Sequence, residues 1–190
     1  KSSNRCPSKS RRIRTTQSIS KPRRRRWVIS SDAGVLTKNR KSSTKKAGGR
    51  FAIIASRYNG RYVNSMMRAA KAELLSAGAE AVKVVRVPGA YEIPVVVGEL
   101  ARETEQPCAA IICLGVIMRG ATTHAQHIGD AVSLALANAQ LQYGVPIVHE
   151  VLLFENEDQA KARCLDKDFN RGNEAAQTAL EMARVMKRLR

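Results

Sequence analysis

Four short apolar runs, at residues 51–56, 82–87, 109–118 and 147–153, alternate with segments whose apolar residues recur at helical spacing. That alternation constrains the fold more than any other feature of the chain. Strands that are apolar throughout are buried on both faces, and strands that alternate with helices form a parallel sheet with helices packed on either side. Met66, Met67, Ala70, Leu74 and Leu75 recur at helical spacing ahead of Gly78, a helix-stopping residue. Further helices are expected at 94–102, started by Pro94, at 123–143, and at 173–189, where Ala176, Ala179, Ala183 and Met186 share a face. Asn156 with Gln159 resembles the capping pair of a short helix.

In a parallel sheet of this kind ligands bind at the carboxyl ends of the strands. The turns at 57–60, 88–92 and 117–124 all follow strands, so they are expected to gather at one edge. The third turn carries the most chemistry. An apolar run stops at Arg119-Gly120, and a helix begins at Thr122 or Thr123 with His124 in its first turn. The free N–H groups and the dipole of a helix's first turn suit an anion, and an imidazole beside it can move protons. The first turn adds the aromatic Tyr58 and the polar Asn59, and the second adds Pro88-Gly89-Ala90-Tyr91-Glu92, a backbone open to close approach followed by a carboxylate. One site could thus hold a flat heterocycle on Tyr58, polyol hydroxyls on Glu92, and phosphate at residues 120–123.

Each feature also has a plainer reading. A strand–Gly–helix turn often binds nothing, Tyr58 alone reads as packing, and Glu92 ahead of a helix could compensate its dipole for about 0.3–1 kcal/mol. His124 and His127 stand three apart on one helix, but no carboxylate or thiol in register completes a metal set, and none is expected. His149, in an apolar strand, reads as a satisfied core or interface histidine, and Arg163 and Arg171 as solvated charges.

Composition limits the alternatives. The net charge of +17 would suggest a nucleic-acid binder if it were spread evenly. Residues 1–50 hold 17 Lys/Arg against Asp32 alone (17 − 1 = +16), and the remaining 140 residues hold 16 against 15 Asp/Glu (+1). Residues 1–49 are therefore expected to be a disordered basic extension, with one folded domain at 50–190. Cys6, Cys108, Cys113 and Cys164 form no CxxC motif and read as reduced thiols. No apolar stretch approaches the roughly 18–20 residues of a membrane span.

Taken together, Arg57-Tyr58-Asn59, Val87-Pro88-Gly89-Ala90-Tyr91-Glu92-Ile93-Pro94, Gly115 to His124 and Asn170-Arg171-Gly172 resemble the 6,7-dimethyl-8-ribityllumazine synthase family across residues 50–189. The resemblance implies a flavodoxin-like, three-layer α/β/α sandwich on a central four-stranded parallel sheet. It also implies the penultimate step of riboflavin biosynthesis, in which 5-amino-6-(D-ribitylamino)uracil condenses with 3,4-dihydroxy-2-butanone 4-phosphate without metal or organic cofactor. His124 matches the family's proton-transfer histidine. Tyr58, Asn59, Gly89, Ala90, Tyr91, Glu92, Val116, Ile117, Met118 and His149 fall at positions that meet the aminouracil. Arg119, Gly120, Ala121, Thr122 and Arg163 fall at positions that meet the butanone phosphate. Three positions depart from the common pattern: His149 stands where many members have Phe, Arg171 where Lys is frequent, and Cys164-Leu165-Asp166 where a Gly-containing stretch is usual. Family members form pentamers with shared active sites, and many build sixty-subunit icosahedral shells, which would have Arg163 and His149 serve a site completed by a neighbour.

Two other functions compete. The basic extension could make the protein a polyanion-binding or cargo-packaging shell that contacts nucleic acid through counterion release. It could also be a targeting segment on an otherwise cytoplasmic protein, or incidental sequence. A related fold that carries out the next step, an archaeal-type riboflavin synthase, is disfavoured by the intact set of Glu92, Arg119 to His124 and Arg163.

Overall fold

The computed structural model describes residues 48–190. The extension expected at 1–49 falls outside them apart from Gly48 and Gly49, as does Cys6. Strands β1 (Arg50–Ser56), β2 (Ala81–Val87), β3 (Ala110–Met118) and β4 (Ile147–Phe154) alternate with helices α1 (Gly60–Ser76), α2 (Ile93–Ala101), α3 (His124–Tyr143), α4 (Glu157–Cys164) and α5 (Arg171–Leu189). All strand pairs are parallel, in the order β2-β1-β3-β4. Among the described residues that is the flavodoxin-like order without a fifth strand.

Successive strand side chains point to opposite faces, and here each face has its own core. Ile53 and Ala55 pack with Val63 and Met66 of α1, Ala160 of α4, and Ala176 and Leu180 of α5. Ala52 and Ile54 pack on the other face with Ile93 and Val97 of α2 and Val132 and Leu136 of α3. The result is the three-layer α/β/α sandwich that the alternating pattern predicts. The chain leaves β1 toward β2 on one side and returns to β3 on the other, so the crevice of a parallel sheet opens between the carboxyl ends of β1 and β3.

Helix ends follow local chemistry. Gly78, at φ 82°, lets α1 close with Gly78 N donating to Leu75 O and Ala79 N to Leu74 O, a Schellman arrangement. At α4 Asn156 Oδ1 accepts from Gln159 N at 3.0 Å and the Gln159 side chain accepts from Glu155 N at 3.0 Å, which bears out the capping pair. Helix α5 starts at Arg171, two residues ahead of the expected start at 173. Asn170 fixes that start, accepting from Gly172 N at 2.9 Å and donating to Cys164 O at 2.6 Å. Periodicity could not reveal it, because Arg171 and Gly172 contribute no apolar side chain.

Candidate active site

The three turns do meet at the carboxyl edge of the sheet, and hydrogen bonds hold them there. Arg57 N donates to Val87 O at 2.9 Å and Tyr58 N to Pro88 O at 3.2 Å, joining the turns after β1 and β2. Asn59 adopts the left-handed conformation (φ 53°, ψ 39°) at the start of α1, and its Nδ2 donates to Val116 O at 2.8 Å. That bond joins the first turn to β3. In the second turn Gly89 N donates to the Glu92 carboxylate at 2.8 Å. A Cβ on Gly89 would lie 2.8 Å from that carboxylate oxygen and 3.3 Å from the Tyr58 ring, so only glycine lets ring, turn and carboxylate approach this closely.

These turns surround a cleft of about 840 Å³ lined by Tyr58, Asn59, Gly89, Ala90, Tyr91, Glu92, Val116, Ile117, Met118, Gly120, Thr122 and His124, with Ala125, His127, Ile128 and Ala131 from further along α3. The size suits a small-molecule site. Tyr58 is 72% exposed and Tyr91 64%, so both rings stand free at the rim. The N-cap of α3, Thr123, makes no side-chain capping bond, and the one side-chain acceptor at this helix start is Thr122 Oγ1, which accepts from His124 N at 3.4 Å. His127 was missed as a lining residue. Its spacing of three from His124 on one helix was the signal, since residues three apart share a helix face.

Four residues named from the sequence are not among those that line this cleft. Arg119 pairs with Glu155 at 2.8 Å and donates to Gln126 Oε1 at 3.1 Å, and Ala121 is exposed beside it. His149 is exposed on β4, where it contacts Ser133 Oγ at 2.9 Å. Ser133 Oγ donates its proton to Gly129 O at 2.7 Å, so His149 Nε2 is the donor in that contact. Arg163 lines a second cavity of about 360 Å³ with Leu152, Leu153, Phe154, Gln159 and Arg171. One chain therefore does not bring Arg163 or His149 to the cleft that holds His124.

The second cavity also corrects the reading of Arg171 as a solvated charge. Its Nε and Nη2 donate to the two carboxylate oxygens of Glu150 at 3.0 and 2.9 Å, and its Nη1 donates to Glu174. Glu150 is 5% exposed. Burial pushes its carboxyl above the ordinary carboxylate range, while Arg171 beside it pulls the other way. Glu150 too was missed. The sign was a lone carboxylate inside the apolar run Ile147–Phe154. Among the described residues no three His, Cys, Asp or Glu stand together as metal ligands, and no helix is long and apolar enough to cross a membrane.

A family model described as 6,7-dimethyl-8-ribityllumazine synthase matches residues 48–187. The chain belongs to this family. It is similar to the 6,7-dimethyl-8-ribityllumazine synthase of Stenotrophomonas maltophilia, at 42% identity over 142 residues, covering 74% of this chain and 90% of the relative. It is also similar to the enzyme of that name from Xanthomonas oryzae pv. oryzae, at 41% identity over 142 residues, covering 74% of this chain and 91% of the relative. Asn170-Arg171-Gly172, one of the stretches that carried the resemblance, has a separate structural task for each residue. Asn170 caps α5, Arg171 pairs with Glu150, and Gly172 lies against the backbone of Met66.

Proposed function

We propose that the cleft binds 5-amino-6-(D-ribitylamino)uracil and 3,4-dihydroxy-2-butanone 4-phosphate together and that His124 moves protons between them. The chain is a transferase of riboflavin biosynthesis that forms 6,7-dimethyl-8-ribityllumazine. The observation that carries the site assignment is the convergence of Tyr58, Glu92 and His124 on one cleft at the start of α3.

The cleft's parts suit the two substrates. Tyr58 offers a face to the pyrimidine ring, the backbone near Ala90 and Ile117 meets its polar edge, and Glu92 accepts from the ribityl hydroxyls. The turn at Gly120 and Thr122 receives the phosphate on helix-start amides. The substrate amine attacks the ketone and an imine forms with loss of water. Phosphate then leaves, and ring closure expels a second water. Each step moves a proton, and an imidazole in reach of both substrates can supply and accept it. Donors aimed at the departing phosphate stabilise the charge that develops there, and holding two reactants in one cleft removes much of the entropic barrier.

The working unit in this reading is a homo-oligomer, a pentamer with a sixty-subunit shell as its larger form. The placement of Arg163 and His149 away from their own chain's cleft supports it, because a neighbour's cleft is where they can act. The test is to supply both substrates to the full-length protein and follow the lumazine chromophore. Turnover no faster than the uncatalysed background would sink the proposal. Particle size, measured with and without residues 1–49, reads the assembly.

A further inference from the structure

The cavity beside α4 has an unusual distribution of charge. Two guanidinium groups, Arg163 and Arg171, line it. Arg171 is bound by two carboxylates, Glu150 and Glu174, whereas Arg163 makes no ion pair or side-chain hydrogen bond among the described residues. The four formal charges sum to zero (two cations, two carboxylates), so the cavity is not a doubly cationic anion trap. A guanidinium has five N–H donors, and three of those on Arg171 are engaged (Nε, Nη1 and Nη2, one each). Two N–H groups remain on a plane fixed from two directions.

We propose that Glu150 is a positioning residue that sets the division of labour between the two arginines. It fixes the plane of Arg171 and cancels its charge, so Arg163 alone holds an anion while Arg171 offers directional N–H donors to an uncharged carbonyl or hydroxyl oxygen. The proposal rests on the reading of Arg163 as the phosphate-binding arginine and deepens it. The geometry supplies the reason. A carboxylate engaging both Nε and Nη2 holds the guanidinium in one orientation, and a buried carboxylate on a central run of β4 has little freedom to release it. Glu174, on the first turn of α5 and only partly buried, secures the opposite edge. Removing either carboxylate restores net positive charge to the cavity without removing an arginine.

The test is calorimetric titration of inorganic phosphate into the full-length, assembled protein at low, fixed ionic strength. The parent is compared with Glu150→Gln, Glu174→Gln and Arg163→Ala. The basic N-terminal segment contributes the same background to all four and cancels in the comparison. Glu150→Gln is expected to tighten phosphate binding by about three- to tenfold, the effect of one unit charge several ångströms away at a partly buried site. Glu174→Gln moves the same way, and Arg163→Ala removes the site-specific heat. A merely structural role for Glu150 would weaken binding or leave it alone. Should Glu150→Gln fail to fold, Glu174→Gln reads the same charge effect at a position where no buried partner is orphaned. Unchanged or weaker phosphate binding in the folded variants overturns the proposal. Binding is read without turnover, so that result would leave the condensation in the main cleft to its own test.

Discussion

The side-chain amide of Asn59 donates to the main-chain carbonyl of Val116 at 2.8 Å, across 57 residues of sequence. The bond fastens the turn that carries Tyr58 to the strand that leads into His124, and it does so from a left-handed backbone that few residues accept (φ 53°). Asn59→Ala is expected to destabilise the protein by about 1–3 kcal/mol, combining the cost of a left-handed alanine with a carbonyl left without its donor. Asn59→Gly removes the strain but not the lost bond, so it should fall between the two. Urea unfolding of the three proteins checks the order.

His124→Ala should slow turnover by about 10²- to 10⁴-fold, the range of general acid–base groups. Particle size and circular dichroism should not change, because the imidazole is exposed at the start of α3 and supports no packing. A loss smaller than about threefold would remove His124 from the proton-transfer role.

Arg163→Ala should raise the KM for the butanone phosphate by about tenfold or more while leaving the KM for the aminouracil near the parent value. Steady-state kinetics with each substrate varied in turn makes the separation. An unchanged KM for the phosphorylated substrate would mean that the arginine serves the fold or the assembly instead.

Gly172→Ala should be the most damaging of the glycine-to-alanine changes among the described residues. The added Cβ would sit 2.0 Å from Met66 O, a main-chain atom that cannot swing aside, and α1 and α5 would have to separate. A cost of about 3 kcal/mol, the upper part of the overpacking range, is expected. Thermal unfolding or loss of soluble protein measures it.

The three thiols of the described residues should react in a set order. Burial pushes the Cys113 thiol far above its ordinary range, and burial with the nearby Glu150 carboxylate pushes Cys164 up to about 12. Cys108 is only partly buried and less strongly raised. Since the thiolate is the nucleophile, iodoacetamide at pH 8 should label Cys108 while Cys113 and Cys164 stay unmodified until the protein is unfolded. Peptide mass spectrometry reads the three sites separately.

The sheet and most of the main cleft were legible in the sequence because each rests on local pattern. Apolar runs mark strands, and a turn after a strand in a parallel sheet has only one edge to go to. Tyr58, Glu92 and His124 could therefore be placed together with no knowledge of their contacts. What escaped was long-range and polar. Glu150 and Arg171 are separated by 21 residues, and no periodicity links a carboxylate in a strand to an arginine at a helix start. The family resemblance puts Arg119 at the phosphate, and its pairing with Glu155, 36 residues further on, has no local signal in the sequence. The early start of α5 depends on one side-chain cap at Asn170 rather than on any stripe of apolar residues.

The mutual support among Asn59, Gly89 and Glu92 bears on how this site can change its chemistry. Asn59 is committed to Val116, a methyl on Gly89 would push the Glu92 carboxylate from its place, and that carboxylate braces its own turn. Altering Gly89 or Glu92 disturbs the other, and altering Asn59 frees the first turn from β3. Tyr58 and Tyr91 are the exceptions: both side chains stand out from the rim, 72% and 64% exposed. Directed evolution toward other heterocycles thus has two permissive positions set in a frame that resists substitution, and libraries confined to them would vary recognition at little expense in folding.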